Sequence, residues 1–421
     1  MEYVEKAHSI KGKTAQKKEE KKASKSKRWA VISMSSIPLV MTLGNSMLIP
    51  VLPELETQLG ISSFQSSMVI TVYSIVAIIL IPLAGYLSDH IGRKKVIIPS
   101  LLIAAIGGLI SGWASWKMNN PYWIILIGRA LQGVGAAGAA PIVMPLVGDM
   151  FKNEDEVSST LGVIETSNTL GKVLSPVLGA FLAGIIWFLP FFAFPAFCVI
   201  SVLLMIFLVK SPKSKEKPLP FKEFLQKVKK IFKNSGRWLY SIFIVGVILM
   251  FVLFAVLFYL SDVLEKTYDI KDIKKGLLLA LPLGALCFSS YFTGKIIKEN
   301  KVLMKWITLV GIVVLALSIG ALSFSNGLIF MIAMFFISGI GIGVGLPCLD
   351  ALITEGIEKE ERGTITSIYS SMRFIGVAAG PPVMAIMLKH TGSILFYILA
   401  GLGLLAAFIT LVGIRPGKEA K

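Results

Sequence analysis

Cysteine and histidine are both scarce in this chain of 421 residues, which has three of each. The cysteines all fall in apolar segments, and no two are closely spaced (Cys198, Cys287 and Cys348). That spacing argues against a disulfide framework and against a metal site. The histidines fall in a polar tail and in two loops (His8, His90 and His390). Imidazole is therefore not expected to carry protons through an apolar core, and a proton carrier there has to be a carboxylate.

Charged residues are also few, at 16% of the chain, whereas a soluble domain has about 25%. The shortage excludes a soluble globular protein. Catalytic patterns are missing as well, because the chain has no paired histidines, no Ser/His set and no phosphate-binding loop followed by a lysine. We therefore expect neither an enzyme nor a cofactor nor a metal site.

Long apolar segments dominate what is present. Hydrophobic residues make up 55% of the chain, and the mean hydropathy is +0.76. A membrane-spanning helix needs about 20 apolar residues, and that length predicts twelve spans, at 29–51, 64–87, 96–115, 121–148, 157–186, 191–209, 237–260, 276–297, 305–324, 328–353, 363–388 and 394–414. The predicted fold class is an all-α membrane protein with twelve transmembrane helices in two six-helix pseudo-symmetric halves, residues 29–209 and 237–414.

Positive charge is concentrated outside these spans. The formal net charge is +17, and ten cations lie between Lys6 and Arg28. Basic segments beside apolar spans stay on the cytoplasmic side, where each cation near anionic lipid contributes about 1 kcal/mol. The sequence thus predicts cytoplasmic tails at 1–28 and 415–421 in a plasma-membrane protein that contacts the lipid bilayer and binds no nucleic acid. Predicted outer loops at 53–63, 187–190 and 325–327 contain no Lys or Arg, whereas 261–275 carries both signs.

A polar stretch at 210–236 is predicted to be a cytoplasmic linker between the halves. Within it, apolar residues repeat at helical spacing opposite several lysines (Phe221, Phe224, Leu225, Val228, Ile231 and Phe232, with Lys222, Lys227, Lys229, Lys230 and Lys233). Two interpretations of this amphipathic helix stay open. It either lies flat on the inner leaflet or packs on the cytoplasmic face of the protein.

A short turn between the second and third spans carries an acid, several cations and two glycines. Its residues Gly85, Asp89, Gly92 and Arg93 match the pattern Gly-x-Leu-Ser/Ala-Asp-x-x-Gly-Arg-Arg/Lys. On these residues the chain resembles the major facilitator superfamily of secondary transporters. The resemblance implies a gating loop that holds the two halves together on the cytoplasmic side in the outward-facing state and releases them in the inward-facing state.

Three further motifs resemble the twelve-helix drug/proton antiporter branch of that family. Leu43-Gly44 with Pro50-Val51-Leu52-Pro53 occupies the first span, and Arg129, Gln132, Gly133 and Gly135 occupy the fourth. The fifth span has Gly171, Pro176 and Gly179, but Ser175 and Ala180 replace two glycines of the antiporter pattern. We expect Gly133, Gly135, Gly171, Pro176 and Gly179 to serve close helix packing.

The two halves keep traces of an internal repeat. The segment QGVGAAGAAP, which ends at Pro141, has a counterpart in SGIGIGVGLP, which ends at Pro347. GKVLSP from Gly171 likewise corresponds to GVAAGP from Gly376. Transporters built from such repeats place the substrate near the membrane midplane between the halves.

Ionisable residues inside spans are rare and functional by default. Arg129, Glu165, Lys172 and Arg373 are predicted near the midplane, and Asp350 nearer the cytoplasmic end of the tenth span. The family resemblance implies that Arg129 serves proton coupling by acting on a carboxylate. We predict Glu165 as that carboxylate and Asp350 as the second choice, while a fixed buried ion pair stays open for Glu165.

The substrate cavity is predicted to contain Asn45, Lys172, Met372 and Arg373. The first span offers Thr42, Asn45 and Ser46 but no acid, so three deep cations face one deep acid. That balance favours an anionic or zwitterionic amphiphile. The predicted function is proton-coupled efflux of a small amphiphilic molecule, drug or metabolite, by a monomer. Alternatives are an exporter of an anionic metabolite such as a siderophore, a lipid flippase and a proton-linked uptake symporter.

Overall fold

The computed structural model describes residues 27–151, 154–209, 236–297, 300–325, 327–356, 359–392 and 394–415, with positions 223, 226, 229 and 230. Twelve helices in the described residues are long and apolar enough to cross a membrane. They are α1 (Lys27–Leu59), α2 (Ser63–Ile91), α3 (Arg93–Lys117), α4 (Tyr122–Met150), α5 (Glu154–Ile185), α6 (Leu189–Leu208), α7 (Gly236–Lys266), α8 (Asp272–Ile297), α9 (Lys301–Ala321), α10 (Leu328–Gly356), α11 (Lys359–His390) and α12 (Ile394–Gly413). The predicted fold class is confirmed. Most of the predicted linker helix and most of both tails lie outside the described residues.

The first span differs from its prediction because it does not end at residue 51. Its helix breaks into a short 3₁₀ turn at Ile49–Val51 and continues as the helix Leu52–Leu59, so the predicted loop at 53–63 is wrong. Proline is tolerated at the start of a helix, where its missing N–H is not needed. Gly60, at φ 62°, ends the extension in the left-handed conformation that glycine adopts at little cost. The mixed-sign loop is likewise shorter than predicted, because α7 reaches Lys266 and α8 begins at Asp272.

The two halves repeat the same helix contacts. In the first half, Gly133 brings α4 onto the α2 backbone and Gly171 brings α5 onto α1. In the second, Gly339 brings α10 onto α8 and Gly376 brings α11 onto α7. Small residues allow this close approach, which supplies the packing that holds membrane helices together. The internal repeat of the sequence therefore corresponds to equivalent helix–helix contacts in the two halves.

Two symmetric helix pairs join the halves, α2 with α11 and α5 with α8. The Thr71 hydroxyl donates to the Ala378 carbonyl and the Ser371 hydroxyl donates to the Ile78 carbonyl, each at 2.7 Å. On the other side, Gly276 of α8 packs against the Pro176 carbonyl of α5. Between these two seams the halves enclose the centre of the molecule.

Side-chain contacts between the halves extend to one end of the bundle, which we call the closed end: the end of α1, the start of α2, the end of α7 and the start of α8. A core of buried residues there draws side chains from both halves, including Leu52 and Leu55 of α1 with Leu260 and Leu264 of α7. The Ser261 hydroxyl also donates across the interface to the Ile49 carbonyl at 2.9 Å. A second core lies within the first half, nearer the opposite end. The closed end therefore has a core that both halves share, whereas the second core is formed by the first half alone.

Candidate functional site

Arg129 is sealed inside the first half. Its guanidinium is 0% exposed and lies 4.5 Å from the centre of the Tyr73 ring. It donates to four neutral oxygens: the carbonyls of Val69 (2.7 Å) and Gly44 (3.3 Å) and the side chains of Asn45 (2.7 Å) and Gln132. The guanidinium group of Arg129 thus links α4 to α1 and α2 through hydrogen bonds.

The coupling role expected for Arg129 required a carboxylate nearby. Among the described residues no carboxylate lies within ion-pair distance of its guanidinium. A charge buried this deeply needs satisfied donors, and its neutral acceptors supply them together with the electron-rich face of Tyr73. The geometry supports a tie between three helices, and the coupling role stays a prediction.

Four ionisable side chains come together between the halves, and we call them the central charged group. Glu165 and Lys172 are on α5, Asp350 is on α10 and Arg373 is on α11. They lie within electrostatic range of one another, so the α5 pair faces the second half and not lipid. Arg373 Nη1 lies 3.2 Å from Asp350 Oδ1. The sequence located these residues, and the fold brings them to one place.

The ammonium of Lys172 has no hydrogen bond or ion pair with any other described residue, although the side chain is only partly exposed. Glu165 has a neutral partner, because the Asn168 amide lies 3.2 and 3.4 Å from its two oxygens. Asn168 in turn accepts from the Thr42 hydroxyl of α1 at 2.6 Å. A lysine ammonium between two protein halves, with no partner of its own, can bind an acidic group of a ligand.

The charge balance of the site differs from the balance predicted. Arg129 is removed from the centre by burial, and Asp350 joins it, so two cations face two carboxylates. One pair, Asp350 with Arg373, is already formed. The structure therefore does not support an excess of three cations over one acid. Among the described residues, Lys172 and Glu165 are the two members of the group that are not in an ion pair.

The other two predicted cavity residues, Asn45 and Met372, are not part of the central charged group. Asn45 is buried, and its side-chain oxygen is held by Arg129. Met372 is half-buried and packs against the core that both halves share. Sequence reasoning missed Asn168, which neighbours Glu165, and Tyr369, which lies one turn before Arg373 and faces its guanidinium at 5.5 Å from the ring centre.

The predicted gating loop makes its charged contacts within the first half. Arg93 pairs with Asp89, and its Nε lies 3.1 Å from Asp149 Oδ2 at the end of α4. Gly92 adopts φ 101°, which allows α3 to begin immediately after α2 ends. Gly85 is near the second half, where an added Cβ would lie 3.9 Å from the Ser367 hydroxyl. The acid Asp149 was not predicted, although an acid at the end of the fourth span was visible in the sequence.

The closed end carries a group of ion pairs that the sequence did not reveal. Lys266 lies 2.8 Å from Glu56 of the first half and 2.5 Å from Asp262 of its own helix. Lys275 is 2% exposed, lies 2.5 Å from Glu265, and also donates across the interface to the Pro50 carbonyl. These contacts add charge-assisted bonds to the apolar packing between the halves at this end.

A cavity of about 200 Å³ lies at the closed end of the second half, away from the central charged group. Aromatic, aliphatic and small polar side chains line it (Tyr259, Val263, Thr267, Tyr268, Leu322, Ser325, Met331 and Phe396). None of the four central charges contributes to its wall. This cavity is therefore separate from the central charged group.

Comparison with known proteins adds four findings. A sequence profile described as the Major Facilitator Superfamily matches residues 34–304 and 304–421. The chain is 56% identical over 390 residues to the bacillibactin exporter of Bacillus subtilis (strain 168), covering 92% of this chain and 97% of that protein. It is 24% identical over 378 residues to the quinolone resistance protein NorA of Staphylococcus aureus (strain Mu50 / ATCC 700699), covering 88% and 92%. The crystal structure of a D-xylose-proton symporter superposes with a TM-score of 0.75 at 15% identity, over 93% and 98% of the two chains.

Proposed function

Because the chain belongs to the major facilitator superfamily, and is thus a multi-pass membrane transporter and not an enzyme, we propose that it exports a siderophore in exchange for protons. The substrate binds at the central charged group while the two halves alternate around it. We place both termini and the turn at 85–95 in the cytoplasm of the cell, with the protein acting as a monomer in the plasma membrane.

The observation that carries this proposal is the 56% identity to the bacillibactin exporter along nearly the whole of both chains. The likeness to NorA is much lower, at 24%. Substrate-binding side chains are conserved less readily than a fold, so the stronger likeness is the better guide to the substrate. Bacillibactin itself is the first compound to test.

The central charged group offers chemistry that suits a siderophore. Such molecules hold iron through hard oxygen donors, and many of these oxygens are acidic or bear hydroxyl protons. Lys172, whose ammonium has no partner among the described residues, supplies a cation for an acidic oxygen. Glu165 supplies an acceptor for a hydroxyl, because its present partner is the neutral amide of Asn168.

Exchange with protons requires that the proton and the substrate compete. An ionised Glu165 accepts a charge-assisted hydrogen bond from a substrate hydroxyl, whereas protonation turns one of its oxygens into a donor and removes the charge that strengthens the bond. Proton uptake therefore weakens substrate binding, and substrate binding opposes proton uptake. Glu165 is our first choice as the proton carrier, and Asp350, which is already paired with Arg373, is the second.

The test is transport in proteoliposomes with an imposed pH gradient and a panel of bacillibactin, a quinolone and a cationic dye. We expect bacillibactin to move against the proton flux. Lys172→Gln should lower its apparent affinity about 10- to 100-fold, because a hydrogen bond to a charged group contributes about 1.5–3 kcal/mol. Lys172→Arg should retain most of it, and Lys295→Gln, the same change at an exposed site, should have no effect.

Two results would contradict the proposal. Proton flux driven by the quinolone or the dye, with none driven by bacillibactin, would make the protein a drug exporter. Bacillibactin that equilibrates without protons would make it a facilitator. Full proton-coupled transport by Glu165→Gln would remove Glu165 from the mechanism and leave Asp350 to be tested in the same way.

A further inference from the structure

A chain of hydrogen bonds runs from α1 to Glu165, and the proposed mechanism gives it no part. The Thr42 hydroxyl of α1 donates to the Asn168 side-chain oxygen at 2.6 Å, and the Asn168 amide nitrogen lies 3.2 and 3.4 Å from the two oxygens of Glu165. Gly171 keeps α5 close to α1 here, since an added Cβ would lie 3.2 Å from the Thr42 Cβ. The chain thus connects α1 to an acid of the central charged group.

The direction of these hydrogen bonds suits an ionised Glu165. An ionised carboxylate accepts hydrogen bonds and donates none, so Asn168 has to turn its amide nitrogen toward Glu165 and its oxygen away. The Thr42 hydroxyl can donate or accept, and it fits this orientation because it donates to the amide oxygen. Each donor in the chain therefore points toward Glu165.

The other charged or titratable groups within electrostatic range of Glu165 come from its own helix and from the second half (Lys172, Asp350, Tyr369 and Arg373). On α8, which packs against α5, the Cys287 thiol lies within range of Lys172. These charges act on the Glu165 carboxylate in both directions. Within the described part of the chain, the hydrogen bonds to that carboxylate come from Asn168, and a bound donor favours the ionised form.

We propose that Asn168 and Thr42 are positioning residues for proton exchange: the Asn168 amide, oriented by the Thr42 hydroxyl, stabilises the ionised carboxylate of Glu165 and so makes its proton easier to release. Both residues act through Glu165. The amide keeps its two hydrogens, so the chain itself transfers no proton. The inference rests on the proposed function, in which Glu165 is the proton carrier, and it names the residues that set the pH at which the exchange takes place.

The first experiment follows proton uptake by the purified protein without substrate. The infrared band of a protonated carboxyl that disappears in Glu165→Gln reports on Glu165, and its intensity is measured against pH. Asn168→Ala should move the midpoint of this titration to higher pH by about one unit, the shift expected when a hydrogen bond to a charged group is lost. Ser167→Ala is the matched control, because its hydroxyl donates to the Val163 carbonyl of its own helix, and its midpoint should equal that of wild type.

Variants of Thr42 test the other end of the chain. Thr42→Val removes the hydroxyl and keeps the volume of the side chain, so the amide loses its orientation and the midpoint should move to higher pH by less than in Asn168→Ala. Thr42→Ser keeps the hydroxyl and should have the wild-type midpoint. Thr166→Val, the same change at a hydroxyl that donates to the Gly162 carbonyl within α5, should have no effect. If Asn168→Ala does not fold, the Thr42 variants decide the proposal.

Substrate binding gives an independent readout. Because protonation of Glu165 weakens bacillibactin binding in the proposed function, the pH at which half of the affinity is lost should rise in Asn168→Ala and Thr42→Val as the titration midpoint does. Wild-type midpoints in both variants, a shift to lower pH, or the absence of any carboxyl band that Glu165→Gln removes would overturn the proposal. If wild type neither binds nor moves bacillibactin, the proposed function fails, while the titration without substrate still decides whether Asn168 and Thr42 act on Glu165.

Discussion

Two arginines show how differently one side chain is used at the residue scale. Arg129 is completely buried and bound to neutral oxygens, whereas Arg373 is partly exposed and bound to a carboxylate. The sequence placed both inside the membrane and attributed coupling to the first. It could not separate them, because their partners come from helices that only the fold brings alongside. Of the two, Arg373 is the one that belongs to the central charged group.

Arg129→Lys tests the structural role of the buried guanidinium group. A lysine keeps the charge but has a single ammonium on a flexible stem, so it cannot reach acceptors on α1, α2 and α4 together. We expect the free energy of unfolding to fall by about 2–3 kcal/mol, since acceptors and a charge lose their partners. Thermal stability in detergent would measure this loss, with the exposed Arg415→Lys as the control. A lysine variant as stable as wild type would show that the hydrogen bonds of the Arg129 guanidinium do not stabilise the packing of these helices.

At the scale of elements, the broken first helix explains how the closed end is joined. Pro53 has no N–H to donate to the Ile49 carbonyl, which accepts instead from the Leu52 N–H of the 3₁₀ turn. The same carbonyl also accepts from Ser261 of the second half, and the next one, Pro50, accepts from Lys275. The proline motif at 50–53, which resembles the antiporter signature, thus brings backbone oxygens to the opposite half.

The ion pairs beside this break in the first helix could not be predicted from the sequence. The segment 261–275 looked like a loop of mixed charge, because only its local composition was visible. In the structure, Lys266 pairs with Glu56, which lies 210 residues earlier in the chain. By contrast, the twelve spans and the glycine contacts were predictable, since span length and helix packing are properties of local sequence.

Gly179→Ala tests the close approach of α5 to α1. An added Cβ would overlap the Met47 carbonyl oxygen, so one of the two backbones would have to move. Overpacking of this kind costs about 1–3 kcal/mol. Gly162→Ala is a matched control on the same helix, where an added Cβ meets nothing within 4 Å and alanine favours the helix by about 1 kcal/mol. Thermal unfolding of the two variants should therefore shift in opposite directions, and equal shifts would contradict the packing argument.

At the scale of the whole molecule, the two ends differ in what joins the halves. The closed end has an apolar core and ion pairs that cross the interface, while at the opposite end the charged partners of Arg93 among the described residues lie in the first half. Asp350, six residues before α10 ends on that side, has a side chain that is 38% exposed. With the proposed orientation, this is the arrangement of a transporter whose centre opens toward the cytoplasm.

Cys287 offers a direct measure of this asymmetry. It is half-buried on α8 and lies within electrostatic range of Lys172 across the interface, whereas Cys198 and Cys348 are buried. We expect a membrane-impermeant maleimide to label Cys287 from the cytoplasmic face of oriented vesicles and not from the outer face. Bacillibactin should slow the labelling, and Cys287→Ser should abolish it. Equal labelling from the outer face would contradict the closed end.

Removal of the cross-half bonds should reverse this result, because alternating access depends on a small difference in free energy between two packings. Lys266→Met with Lys275→Met removes the cations that bind Glu56 and the Pro50 carbonyl, while the long side chains keep much of their volume. We expect the double variant to gain outer-face labelling of Cys287 by at least about tenfold, the change that follows from about 1.4 kcal/mol. Lys117→Met, at an exposed site on α3, should label like wild type. If the double variant also keeps the wild-type pattern, the apolar core alone closes that end, and the ion pairs have no part in setting which way the transporter faces.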